Sequence, residues 1–293
     1  MLITISNDQI SLTVDTHGAQ MTSIRDRSDM EYLWQGDPAV WDERAPNLFP
    51  VIGRLWSRQH LVEGKAYPMK YIHGFASDAE FLPLVQEGNR LSLALCPSKE
   101  MESQYPFDFC MEISYVLHER EVLITARVGN IGEKTMPFAL GGHPGFRVPL
   151  CEDEEFTDYY LEFSHKCHPI AISFSEKTVL MDGKDRPYYL QEDQRIPLTH
   201  SLFDADAIIL RDADREVTLR SRKSGRGVRV TYPQMPYVGF WHMPHMEAEY
   251  VCIEPWTSLP GREGILEDLS CRSDYLRLEP QQVYENRWKI AVF

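Results

Sequence analysis

A histidine set against glycine recurs in this sequence, and histidine is the side chain whose proton moves most readily near neutral pH. His143 lies in ALGGHPGF, residues Ala139 to Phe146, and His73 in YIHGF. Glycines on both sides of His143 let the backbone turn sharply and leave the imidazole unshielded. Far along the chain the apolar run YVCIE ends in Glu254, followed by Pro255 and Trp256. A carboxylate at the end of a buried-strand pattern is partly desolvated unless paired. Glu254 therefore either caps the strand end, pairs with an arginine, or serves as a general base. An ionised glutamate, with an ordinary pKa of about 4.3, accepts a proton at neutral pH, while histidine, at about 6.5, still donates one. A glutamate and a histidine on opposite sides of one substrate thus divide the base and acid roles.

Other residues could hold such a substrate. Arg54 follows a glycine in FPVIGRL, and Asp204 and Asp206 precede an apolar run in SLFDADAIIL. Strand alternation would point the two aspartates to one side, where carboxylates suit sugar hydroxyls. Trp241 and Trp256 either pack in the core or offer an apolar face to the C–H side of a sugar ring. Arg54, Arg58 and Arg147 are possible phosphate partners, because guanidinium matches phosphate geometry.

Competing chemistries find little support. His73, His143 and Glu254 are too far apart for zinc-ligand spacing, and no HxH or HExxH occurs. His242 and His245 in WHMPHM have a proline between them, which opposes a shared helical face. GxSxG, GxGxxG and GxxxxGK[ST] are absent, so neither a nucleophile elbow nor a phosphate loop is expected, and no metal site is expected either.

The elements that must position these residues read as strands. LITIS and ISLTVD alternate around NDQ as a hairpin, and RLSLALCP, FCMEISYVL, EVLITARVGN, DYYLEFS, AIIL, EVTLRS, GVRVTYP, YVGFW, YVCIE and WKIAVF continue the series. Helical periodicity is confined to short pieces such as REGILEDLS. From about Trp41 to Phe75 strand periodicity gives way to mixed apolar and basic residues, the kind of stretch that often carries function. No linker or repeat divides the chain, so residues 1–293 are expected to form one all-β domain, a sandwich or barrel.

With 30 Lys and Arg against 44 Asp and Glu, the net charge is −14, which disfavours nucleic-acid and anionic-membrane partners. The six scattered cysteines include no CxxC pair, and MLITISNDQI has no signal-peptide pattern. A soluble protein of a reducing, cytoplasmic compartment is expected.

Taken together, NLFPVIGRL, YIHGFA, GGHPGF, LFDADAIIL and VCIEPW resemble, in order and over essentially the whole chain, the motifs of the aldose 1-epimerases, the galactose mutarotase-like proteins. The resemblance implies a large antiparallel β-sandwich with an open sugar cleft. It implies interconversion of α and β anomers without cofactor or metal; the substrate expected is a hexose, with a hexose 6-phosphate as the alternative offered by the arginines, and a monomer or homodimer is expected. Glu254 matches the family's base and His143 its acid. His73 matches the second histidine, Arg54 the arginine that binds hydroxyls, and Asp206, or failing that Asp204, the substrate-binding aspartate. The family's glutamine contact has no clear counterpart. A non-catalytic carbohydrate-binding or sensing protein is the reading from another class, since fold does not set function.

Overall fold

Alternation in the long β-rich runs becomes one large sheet with a covered face. In the strand Phe109–His118 every second residue, from Phe109 to Leu117, is buried, as a half-covered sheet requires. This computed structural model describes all residues, 1–293. The sheet has nine strands. Their order is Arg195–Pro197, Tyr159–Phe163, Glu216–Ser221, Gly227–Thr231, Val283–Val292, Glu121–Asn130, Phe109–His118, Arg90–Leu95 and Leu82–Glu87.

A second sheet of eight strands is built around Tyr250–Trp256, which is buried along its whole length. Tyr237–Trp241 pairs on one side of it. Gly141–Gly142 and Gly145–Arg147 pair on the other, and Asn47–Leu48 lies beyond Gly141–Gly142. The two sheets share a core of 71 buried apolar residues running from Ile3 to Val292, with Phe163 of one meeting Phe240 of the other. The ladders within both sheets are antiparallel, so the architecture is the expected antiparallel β-sandwich.

The hairpin around NDQ is present, between Leu2–Ser6 and Ile10–Asp15, and Asn7 Oδ1 closes it by accepting from the backbone N–H groups of Gln9 and Ile10. Two local readings are corrected. REGILEDLS forms no α-helix; only a 3₁₀ turn, Leu269–Cys271, falls there. Gly264 adopts φ +74°, and Glu267 is occupied by a two-pronged ion pair with Arg262, at 2.8 Å on both contacts. The α-helix of the chain is instead Lys99–Gln104, capped by Ser98, whose hydroxyl accepts from Met101 N–H.

The stretch from Trp41 to Phe75 is irregular but not strandless. Gln59–Val62 and Lys65–Pro68 pair around Glu63 and Gly64, whose φ values of 51° and 77° both suit a tight hairpin turn. No helix of the structure is long and apolar enough to cross a membrane.

Candidate functional site

Glu254 is placed by the most enclosed strand of the molecule. Alternation along Tyr250–Trp256 puts Tyr250, Cys252, Glu254 and Trp256 on one face and Val251 and Ile253 on the other; Val251, Ile253 and Trp256 belong to the main core. Across the ladder Glu254 faces Gly239, which has no side chain to cover the carboxyl. His143 leaves the neighbouring short strand Gly141–Gly142, anchored by its N–H to Pro46 C=O at 3.0 Å. Pro144 C=O accepts from Ile253 N–H at 3.1 Å and ties the same turn to the Glu254 strand. These ladders bring His143 Nε2 to 3.1 Å from Glu254 Oε2.

The glycines beside His143 have a role other than the one their sequence suggests. None of Gly141, Gly142 and Gly145 adopts a positive φ. A Cβ would instead lie 2.7 Å from Trp256 at Gly141, 2.7 Å from Trp288 at Gly142 and 2.7 Å from Trp41 at Gly145. They admit three indole rings to the backbone. His143 is accordingly not an unshielded turn residue: it is 9% exposed, with Trp41, His73 and Trp241 around its ring.

His73 arrives from the irregular stretch. Its C=O accepts from Phe49 N–H and its N–H donates to Gly53 C=O. Gly74, at φ +81°, is obligatory, since a Cβ would sit 2.2 Å from Phe49 O. His73 Nδ1 accepts from Gly53 N–H at 3.1 Å, so the ring proton sits on Nε2, where it is free to donate. Arg54, next along, reaches Asp206 with Nη1 and Oδ2 4.0 Å apart.

Burial holds the His143 imidazole down, to about 4, and raises the Glu254 carboxyl well above the usual carboxylate range, with the charge of Asp206 adding to the rise. Burial, followed by the charges of His143 and Arg54, also holds His73 well below its ordinary value. All three shifts favour the uncharged forms. His143 Nδ1 and Glu254 Oε1 are buried without a hydrogen-bond partner, so the pair has unused bonding capacity. It lies in the wall of a cleft of about 780 Å³, shared with Arg54, His73, Asp206, Trp241 and Trp256.

The aldose 1-epimerase family profile matches residues 1–268. The chain belongs to the aldose 1-epimerase family. It is similar to the plasmid-borne LacX protein of Lactococcus lactis, 37% identical over 278 residues and 92% of each chain. Among solved structures, it is similar to a galactose mutarotase related enzyme of Lactobacillus acidophilus, with TM-score 0.94 and 30% identity over 100% of this chain and 97% of that one. A galactose mutarotase-like protein of Lactobacillus casei superposes with TM-score 0.93 at 28% identity over 100% of both chains.

Against this family background, two sequence expectations fail. Asp204 and Asp206 do not share a side, because the strand Ile208–Arg211 begins only after them and alternation does not govern the turn. Asp204 ends the 3₁₀ helix His200–Phe203, and its carboxylate accepts from His245 N–H at 3.3 Å, outside the cleft. Asp206, at φ 84°, turns the other way, into the cleft. Arg147 also lies outside the cleft, because its register opposite Tyr250 sets it four residues along the strand from Glu254. Arg58 does line the cleft.

Trp41 and Glu43 are among the cleft residues that had no role in the sequence reading. Trp41 packs on His143 at 5.2 Å between ring centroids and crosses Trp241 edge-on at 5.5 Å, so the two indoles make one apolar wall. Glu43 is a further carboxyl lining the cleft, raised above its ordinary value by burial and then by Asp42. The sequence signal was present only as the start of the irregular stretch at Trp41.

Proposed function

We propose that this family member interconverts the α and β anomers of a hexose by acid/base ring opening and reclosure. The observation that carries the reading is the buried His143–Glu254 pair, 3.1 Å apart in the wall of a cleft lined by donors, acceptors and indole faces. Glu254 takes the proton of the C1 hydroxyl while His143 delivers one to the ring oxygen, and the C1–O5 bond opens to the free aldehyde. Rotation about C1–C2 presents the other carbonyl face, and the ring closes with the two roles reversed. His73 Nε2–H, Arg54 and Asp206 bind hydroxyls, and Trp241 with Trp41 supports the C–H face of the ring.

Proton count gives the pair its reversibility. Carboxylate with imidazolium and carboxyl with neutral imidazole hold the same number of protons. The first pattern opens the ring and the second closes it. Burial by itself favours the uncharged pattern. A C1 hydroxyl donating to Glu254 stabilises the carboxylate and restores the opening pattern. Neither direction requires a proton from bulk water.

Magnetisation-exchange NMR on galactose and glucose tests the reading. The enzyme is expected to raise anomer exchange above the spontaneous rate, and sugar binding without added exchange would favour the non-catalytic carbohydrate-binding reading. A hexose 6-phosphate is the second reading, favoured by Arg58, which lines the cleft beside Arg54 and forms no ion pair. On that reading glucose 6-phosphate exchanges with the higher kcat/KM, and Arg58→Gln removes the preference.

The two aspartates give a paired test. Asp206→Asn is expected to raise KM about tenfold, the scale of a lost charge-assisted hydrogen bond. It also removes a negative charge that raises the Glu254 carboxyl, so the alkaline fall in activity moves to lower pH. Asp204→Asn leaves KM and the pH profile at wild-type values. The opposite pattern in the two variants would reverse the assignment.

A further inference from the structure

Cys252 is placed beside the His143–Glu254 pair by the same alternation that presents Glu254, yet the proton-transfer chemistry makes no use of it. It is a free thiol with no solvent exposure, two residues before Glu254 and opposite both Trp241 and Gly145 in the ladders. One ligand atom from each of His143, Cys252 and Glu254 lies within 4.8 Å of the other two. Imidazole nitrogen, thiolate sulfur and carboxylate oxygen are the three donor types that zinc takes in proteins.

A second, independent observation points to a ligand. Glu254, 1% exposed, keeps Oε1 without a hydrogen-bond partner. Buried polar atoms are ordinarily satisfied, and this one belongs to a carboxyl that lies with an imidazole and a thiol around one point.

We propose that His143, Cys252 and Glu254 form an inhibitory site for a borderline-soft divalent cation of the zinc class, which silences the acid/base pair when it binds. Tetrahedral zinc with bonds of about 2.0–2.3 Å sets its ligands roughly 3.5 Å apart, so side-chain rotations of about an ångström close the site. A fourth position is left for water. Binding displaces the thiol proton of Cys252 and the proton shared by His143 and Glu254, so two protons leave for each cation bound. With both nitrogen and carboxylate engaged, neither group exchanges a proton with a sugar. Magnesium and calcium, which prefer oxygen ligands, do not compete. The cation binding stands apart from the proposed function; only the silencing rests on it.

The test uses Co²⁺ and Zn²⁺ directly. Wild-type protein titrated with Co²⁺ is expected to develop a thiolate-to-metal absorption band that saturates at one equivalent and is abolished by added Zn²⁺. Zn²⁺ is expected to stop anomer exchange in parallel, with full return on chelation, while Mg²⁺ has no effect. Cys252→Ala exchanges anomers at the wild-type rate without metal, lacks the cobalt band and needs at least tenfold more Zn²⁺ for inhibition. Should the alanine variant fold poorly, Cys252→Ser keeps the size and gives the same loss of the band. A wild-type protein with no thiolate band, or variants with unchanged cobalt spectra, overturns the site whatever the activity. A saturating band with unaltered exchange overturns the silencing alone. A protein that shows the band but exchanges no sugar retains the site and loses the proposed function.

Discussion

Glu254→Gln is expected to lower kcat for anomer exchange by about 10²–10⁴-fold, the range that a positioned general base contributes. Glutamine keeps the size of the side chain and its place on Tyr250–Trp256, so sugar binding is expected to change little and the loss to fall on kcat rather than KM. The fold is expected to survive, because the carboxyl removed is buried with Oε1 unpartnered and its charge is disfavoured there. Exchange NMR at saturating sugar, corrected for spontaneous mutarotation, measures the rate, and calorimetry measures binding. A variant as fast as wild type would show that Glu254 is only a buried residue within the strand Tyr250–Trp256.

His143→Asn is the second large effect, a loss of about 10²–10³-fold in kcat, and its pH dependence separates a catalytic role from a packing role. In the wild type the pair must hold one mobile proton. On the proposed mechanism, activity is expected to fall in acid as a second proton binds, near the depressed His143 value of about 4, and to fall in alkali as the pair loses its proton through the raised Glu254 carboxyl. Without the imidazole, residual exchange depends on ionised Glu254 alone. It therefore rises with pH through the region where the wild type declines. A mutant that declines in the same region would mean that His143 holds no proton for the reaction.

Stability carries a matching signature. The His143 imidazole, depressed to about 4 from an unfolded value near 6.5, binds fewer protons folded than unfolded between those limits. Its contribution is present above pH 6.5 and is lost as pH falls toward 4. His143→Asn removes that loss, so the drop in Tm between pH 6.5 and pH 4.5 is expected to be smaller than in wild type. Thermal melts followed by circular dichroism at the two pH values check it.

The likeness to LacX and to the two Lactobacillus structures accounts for the fold and the family. Arg58 and Glu43 line the cleft and Cys252 lies beside His143 and Glu254, each carried by a different part of the chain. Arg58 bears on the proposed choice between a free and a phosphorylated sugar, and Cys252 on the proposed inhibition by a metal.

By itself the sequence determined the strands, and hence the sandwich, because burial on one face of a sheet writes a period of two into residues that are neighbours in the chain. YVCIE was legible as a buried strand, though the strand runs on through Glu254 to Trp256 rather than ending in the carboxylate, and the order of motifs was legible as that of a family. Only the tertiary structure decided that His143 is enclosed rather than open, that its glycines make room for Trp256, Trp288 and Trp41, and that Asp206 rather than Asp204 enters the cleft. It also decided that Cys252 belongs beside the pair and Arg147 does not. These are matters of ladder register between segments about a hundred residues apart, as where Gly141 meets Trp256 and Gly145 meets Cys252. Periodicity within one segment carries no information about that register, which is set when both sheets close over their shared core.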